Sequence, residues 1–150
     1  MKKLTHIDAK GEASMVDVSA KPVQLREAVA RGEIRLQKST IKLVQSNRIA
    51  KGNVLATARL AGIQAAKKTG DLIPLCHPLP ITHAEVKFDI PKSGDRIIIT
   101  ASAKIAAQTG IEMEALTAVS VAALTIYDMC KAVDKKMRIS DIKLVSKTKK

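Results

Sequence analysis

Apolar residues recur along the chain at two different spacings. From Thr82 to Ile90, the residues Ala84, Val86, Phe88 and Ile90 alternate with His83, Glu85, Lys87 and Asp89. After Pro91-Lys92-Ser93-Gly94-Asp95, the residues Ile97, Ile99, Ala101, Ala103 and Ile105 alternate with Arg96, Ile98, Thr100, Ser102 and Lys104. A period of two puts each set on its own face of a strand, so this is a hairpin with one buried face. His83 falls on the polar face and is expected to be exposed. Glu33 to Gln37 alternates in the same way and predicts a further strand. Met15-Val16-Asp17-Val18-Ser19 predicts a short N-terminal one, with Val16 and Val18 on one face. A last strand is expected from about Arg138 to Val145.

Helices account for the rest. Ser39 offers an N-cap to a short helix running to about Gln45. Lys51-Gly52-Asn53 opens the helix VLATARLAGIQAAKK, with Asn53 as N-cap. Gly62 inside it leaves room for another backbone, and Thr69-Gly70-Asp71 closes it with Gly at the usual C′ position. There is neither Pro nor Gly from Ile111 to Met137, which predicts the longest helix. No charge falls between Ala115 and Tyr127, and that run is apolar or small on every side. A helix without a polar face is a buried one. The run is shorter than the ~20 apolar residues that a bilayer requires.

From residue 33 the order is strand, helix, strand, strand, helix, strand. That is a ferredoxin-like split βαβ sandwich of the α+β class, an antiparallel sheet with helices on one face. The N-terminal strand and the short helix are additions to it. The 150 residues suit a single domain over 1–150, with a loose start over 1–13 and a basic tail over 147–150.

The charged residues sharpen this picture. Glu112 and Glu114 stand at the start of the long helix, Asp128 and Lys131 at its end. Asp128 and Lys131 are three apart and share a face, so they can pair or touch one ligand. Glu114 and Asp128 also share a face, but about 21 Å of axis separates them at 1.5 Å per residue. Both cannot serve one small substrate within one subunit. Either there are two sites, or a neighbouring copy brings the opposite end into the same pocket; the apolar helix favours the oligomer.

Net charge is +12, which attracts polyanions such as nucleic acid or phosphorylated metabolites. Lys67-Lys68, Lys135-Lys136 and the terminal lysines read equally as solvated surface. With one Phe, one Tyr and no Trp, a binder that stacks single-stranded bases is poorly supported. The competing reading is a ferredoxin-like nucleic-acid-binding module. Lys21, Pro22 and Arg26 lie in a segment without a clear period, which suits a mobile loop able to fold over an anion. Lys51, just before a helix N-terminus, is also placed for an anion. In Leu72 to Pro80, three prolines enforce an extended, rigid segment that fixes His77 between Cys76 and Pro78. His77 can be a binding group or a hydrogen-bonded core residue. No spacing supplies partners for a metal, and the two cysteines, Cys76 and Cys130, give no disulfide framework. The start MKKLTHIDAK has no apolar h-region, so a cytoplasmic location and no membrane association are expected.

Three blocks carry a resemblance: MVDVSAK (15–21), KGNVLATARLAGIQAAKKTGDLIPLCHPL (51–79) and TGIEMEALTAVSVAALTIYDMCKAV (109–133). In these the chain strongly resembles the molybdenum cofactor biosynthesis protein C family, the cyclic pyranopterin monophosphate synthases. The resemblance implies a ferredoxin-like subunit in a homohexamer, a trimer of dimers with active sites at subunit interfaces. It implies a lyase that rearranges 3′,8-cyclo-7,8-dihydroguanosine 5′-triphosphate to cyclic pyranopterin monophosphate and releases pyrophosphate, with no cofactor. Mg²⁺ could help to hold the triphosphate, but nothing in the sequence indicates it. Carried over by position, the catalytic residues fall on Asp128, Lys131 and Lys51. The substrate-contacting residues fall on Leu75, Cys76, His77, Met113 and Glu114, with Glu112, Lys67, Lys21, Arg26 and Lys147 near the pocket. The family often has Asp where this chain has Asn53, which keeps a capping role and loses the charge.

Overall fold

The computed structural model describes residues 5–150. In order come β1 (Gln24–Arg35), α1 (Lys38–Gln45), α2 (Val54–Lys67), α3 (Thr69–Leu72), β2 (His83–Asp89), β3 (Arg96–Ala107), α4 (Glu112–Cys130) and β4 (Arg138–Lys149). The sheet order is β2-β3-β1-β4, and every pair is antiparallel. This is the expected split βαβ sandwich. The hairpin β2–β3 forms as its alternation predicts, and Val86, Ile97, Ile99, Ala101, Ala103 and Ile105 are buried under the helices. Burying each isoleucine is worth about 1.5–3 kcal/mol. His83 is exposed.

α2 and α4 pack closely because small residues meet where they cross. A Cβ added at Gly62 would stand 2.9 Å from the Ala118 carbonyl oxygen and 3.1 Å from Val86 Cγ2. Asn53 caps α2 as expected, its Oδ1 accepting from the Ala56 N–H at 3.0 Å.

Several boundaries differ from the periodicity. Met15 to Ser19 is not a strand. The Asp17 carboxylate accepts from the Ser19 N–H at 2.9 Å and its hydroxyl at 2.6 Å, so the chain turns locally and pairs with no strand. Arg26 lies in β1 and not in a mobile loop; β1 pairs with β3 from Gln24 opposite Ala107 onward. Its inward residues Ala28 and Ala30 are too small to stand out as a hydrophobic period. β4 runs on to Lys149, with Lys147 opposite Ala28 and Lys149 opposite Arg26. Backbone pairing, which side-chain pattern does not report, carries the strand into the lysines. The expected loose start falls partly outside the described residues. Within 5–13, Asp8 Oδ1 accepts from the N–H groups of Lys10 and Glu12, and Ile7 bridges Ala13.

Two helix ends also differ. Gly70 is not a left-handed C′ residue: α2 stops at Lys67, and Gly70 sits inside the short α3. A Cβ there would stand 2.9 Å from the Pro78 Cα, so closeness of backbone explains the glycine. Ser39 is not the N-cap of α1, which starts at Lys38 with Gln37 before it and no local side-chain cap. The carboxylate of Asp134, far along the chain, takes the Gln37 N–H instead.

By length and composition α4 could cross a membrane, but it packs into the core against β1, β3 and α2. Nor is it wholly enclosed by its own subunit. Ala115, Ala118, Val119, Ala122 and Ile126 are buried, whereas Leu124 is 58% exposed. A two-layer fold leaves the outer side of its helices uncovered, and here that side is apolar.

Candidate active site

Two polar clusters form, one at each end of α4. At the C-terminal end Asp128 lies between two lysines. Lys131 Nζ is 2.9 Å from Oδ1, and Lys51 Nζ is 3.0 Å from Oδ2. Lys51 also donates to the Asp128 backbone carbonyl at 3.0 Å, one of the carbonyls a helix end leaves without an intrahelical partner. So the side chain of Lys51 turns to α4 and not to the N-terminus of α2. The hydrogen bonds from Lys131 and then Lys51, followed by their charges, hold the Asp128 carboxyl below its ordinary range. Asp128 is exposed, and exposed ion pairs add little to stability. The cluster is an ionised carboxylate with two ammonium groups aligned on it, a ready base beside two acids.

The N-terminal end is concave. A cleft of about 290 Å³ is lined by Val16, Leu75, Cys76, His77, Met113 and Glu114, together with Glu112 and Lys21. The segment before β2 is not extended throughout as its prolines suggest: Leu72 ends α3, and the chain turns over Ile73 to Cys76, where the Cys76 N–H donates to the Ile73 carbonyl at 3.1 Å, before running extended from His77. That turn delivers Leu75 to His77, and the first turn of α4 delivers Glu112 to Glu114. His77 Nε2 lies 2.6 Å from the Val16 carbonyl oxygen. A carbonyl only accepts, so Nε2 carries the hydrogen, and in the neutral ring Nδ1 is left to accept. Glu114 is buried at 3% exposure. Burial pushes its carboxyl up, against a backbone hydrogen bond, and the charge of Glu112 adds to the rise. Burial, then Glu114 and Glu112, also raises the Cys76 thiol. Cys130 is buried and pushed up to about 11. Neither cysteine is a thiolate nucleophile near neutral pH.

A second cleft of about 340 Å³ adjoins the first and shares Lys21, Thr109, Gly110 and Glu112 with it. Arg26, Lys147 and Lys149 make it strongly basic. Lys147 Nζ lies 3.4 Å from Glu112 Oε1. Arg26 Nη2 donates to the Gln108 carbonyl at 3.4 Å. Two buried atoms here lack a hydrogen-bond partner among the described residues, Arg26 Nε and Glu112 Oε2. An unpartnered buried polar atom costs about 1–3 kcal/mol. A Cβ at Gly110 would meet only the Glu112 carboxylate, the movable end of a flexible side chain.

Of the residues expected from the sequence, Leu75, Cys76, His77, Met113, Glu114, Glu112, Lys21, Arg26 and Lys147 come together at the N-terminal end. Lys67 lines a neighbouring cleft on the far side, with Asp71 and Glu114. Lys51, Asp128 and Lys131 come together at the other end. Sequence reasoning missed Gln108, Lys149 and the Val16 carbonyl. Gln108 Nε2 donates to the Ser19 carbonyl at 3.2 Å and ties the N-terminal segment to β3. Its place directly after a strand was the available signal; the role of a backbone carbonyl leaves none. Among the described residues no group of three or more His, Cys, Asp or Glu is gathered as metal ligands would be.

The profile of the MoaC family matches residues 15–150. The chain belongs to the MoaC family. It is 58% identical over 147 residues to the cyclic pyranopterin monophosphate synthase of Parvibaculum lavamentivorans, covering 98% of this chain and 92% of that protein. It is 58% identical over 148 residues to the protein of the same name from Heliobacterium modesticaldum, covering 99% and 93%. With that of Chloroflexus aurantiacus it shares 56% over 145 residues, covering 97% and 89%. Within this MoaC-family chain the helix α4 keeps its two polar ends apart, with Glu114 and Asp128 about 21 Å from each other along the axis.

Proposed function

We propose that this chain converts 3′,8-cyclo-7,8-dihydroguanosine 5′-triphosphate to cyclic pyranopterin monophosphate and pyrophosphate, as a lyase of molybdenum cofactor biosynthesis working in the cytoplasm. The observation that carries the reading is near-full-length identity to synthases of that name. The geometry supplies what such chemistry requires. Pyrophosphate leaves as a hydroxyl of the substrate closes on the α-phosphorus, so electrons stay paired and no redox group is consumed. Ring opening and reclosure need a base and proton donors. Asp128, kept ionised, is the base; Lys51 and Lys131 are the donors. His77 Nδ1 and Glu114 hold the ring system. Lys21, Arg26 and Lys147 hold the triphosphate through charge-assisted hydrogen bonds. Glu112 keeps Lys147 in place.

Both clusters serve one substrate when two copies meet. The uncovered apolar side of α4, with Leu124 at its centre, is the surface for this. A second copy laid antiparallel over it, related by a twofold axis, puts the Asp128 end of one against the Glu114 end of the other. Such dimers assemble further into a homohexamer, a trimer of dimers.

A single-turnover assay with the cyclic dihydro-GTP intermediate tests the reading, following pyrophosphate and pterin. Wild type turns over, and correctly assembled Asp128→Ala and Lys51→Ala lose about 10²–10⁴-fold. Binding without product in wild type would remove the activity; full activity in Asp128→Ala would remove the assigned base.

A further inference from the structure

Asp134 is a buried carboxylate that the chemistry above does not use. It is 2% exposed and lies in the turn between α4 and β4. Its Oδ2 accepts from the Gln37 N–H at 2.8 Å and from the Thr40 hydroxyl at 2.9 Å; its Oδ1 accepts from the Lys136 N–H at 3.0 Å. Burial, the largest single effect, acts to raise its carboxyl. The bonds from Gln37, Lys136 and Thr40 overcome it, so the group stays ionised and below its usual range.

Two chain segments deliver the reacting groups. Residues 37–53 carry Lys51, and residues 128–137 carry Asp128 and Lys131. Among the described residues, two ties join these segments by side-chain hydrogen bonds: Lys51 to Asp128, and Asp134 to Gln37 and Thr40. The first of these ties must loosen whenever Lys51 gives its proton to a substrate. The second grips the start of α1, whose other end leads directly into the loop holding Lys51.

We propose that Asp134 is a positioning residue for the reacting end, a latch from the turn after α4 to Gln37 and Thr40 that keeps Lys51 in register with Asp128 and Lys131 through turnover. This rests on the reading of that end as the reacting one.

Asp134→Asn tests it. An Asn keeps the size but must turn its NH₂ toward a donor at one of the two oxygen positions. In correctly assembled protein kcat falls about 10²-fold, the scale set by roughly 1 Å of misplacement. KM stays within about threefold, because Arg26 and Lys147, which hold the phosphates, are untouched. The acid limb of the kcat profile moves to higher pH, because Asp128 loses alignment with its lysines. Thr40→Val, which removes one bond without adding a donor, gives a smaller loss, and Thr40→Ser restores activity. A purely structural Asp134 lowers Tm and leaves kcat per assembled site and the acid limb unchanged; that result overturns the proposal. If Asp134→Asn fails to assemble, the Thr40→Val and Thr40→Ser pair decides by the same criteria. Lys51→Ala, run alongside, separates two failures. If it retains turnover, the reacting-end reading falls and takes this proposal with it. If it is inactive while Asp134→Asn is fully active, the positioning role alone falls.

Discussion

The two ends of α4 treat the same functional group in opposite ways. Asp128 stands in solvent at the C-terminal end, where the helix dipole disfavours an anion. Lys131 and Lys51 nevertheless hold its carboxyl low. Glu114 stands at the N-terminal end, where the dipole favours an anion, and burial raises it all the same. At both ends local partners and burial act against what the dipole favours. Two carboxylates on one helix are pushed in opposite directions by their surroundings. The ends differ in closure too. One is an exposed set of paired charges, while the other borders two adjoining open clefts and holds buried polar atoms without partners.

If the two ends are halves of one site from two copies, inactive variants should complement each other. His77→Ala and Asp128→Ala, each inactive alone, are mixed under conditions that exchange subunits. Every mixed dimer then holds one doubly altered site and one intact site. Random mixing restores roughly a quarter of wild-type turnover. Activity that stays at the level of the separate variants would put both ends to work in unconnected sites.

The basic cleft gives a smaller effect. Arg26→Ala or Lys147→Ala should raise KM about 10-fold or more, the scale of one charge-assisted hydrogen bond, with a much smaller change in kcat. The wild-type KM should rise with ionic strength, less steeply in each variant. A loss confined to kcat would move these residues from holding phosphates to the chemistry.

The smallest effect concerns Glu114 and stability. Its folded-state carboxyl is raised, so the folded protein binds that proton more tightly than the unfolded chain does. The ionised form costs stability above the folded-state value, and the cost disappears as pH falls below the unfolded value of about 4.3. Glu114→Gln should therefore raise Tm near pH 7, with the gain vanishing near pH 4. Equal Tm values at pH 7 would show that the buried carboxylate is fully compensated.

The sequence by itself determined the sheet-and-helix order, the β2–β3 hairpin, the Asn53 cap and the close approach at Gly62. Each of these is written in side-chain period or in a residue with one special property. It also identified both polar ends of α4 and, from their spacing, that one subunit keeps them apart. The tertiary structure decided what long-range backbone contacts decide. Met15 to Ser19 stayed out of the sheet because Asp17 takes its local donors and His77 donates to the Val16 carbonyl. β1 and β4 lengthened because their backbones pair through Arg26, Lys147 and Lys149, whose side chains show no strand pattern. Lys51 met Asp128, and Asp134 met Gln37 and Thr40, across spans of chain that no periodicity encodes. Period reports which face a residue takes on its own element; only the packed chain fixes which partner it meets there.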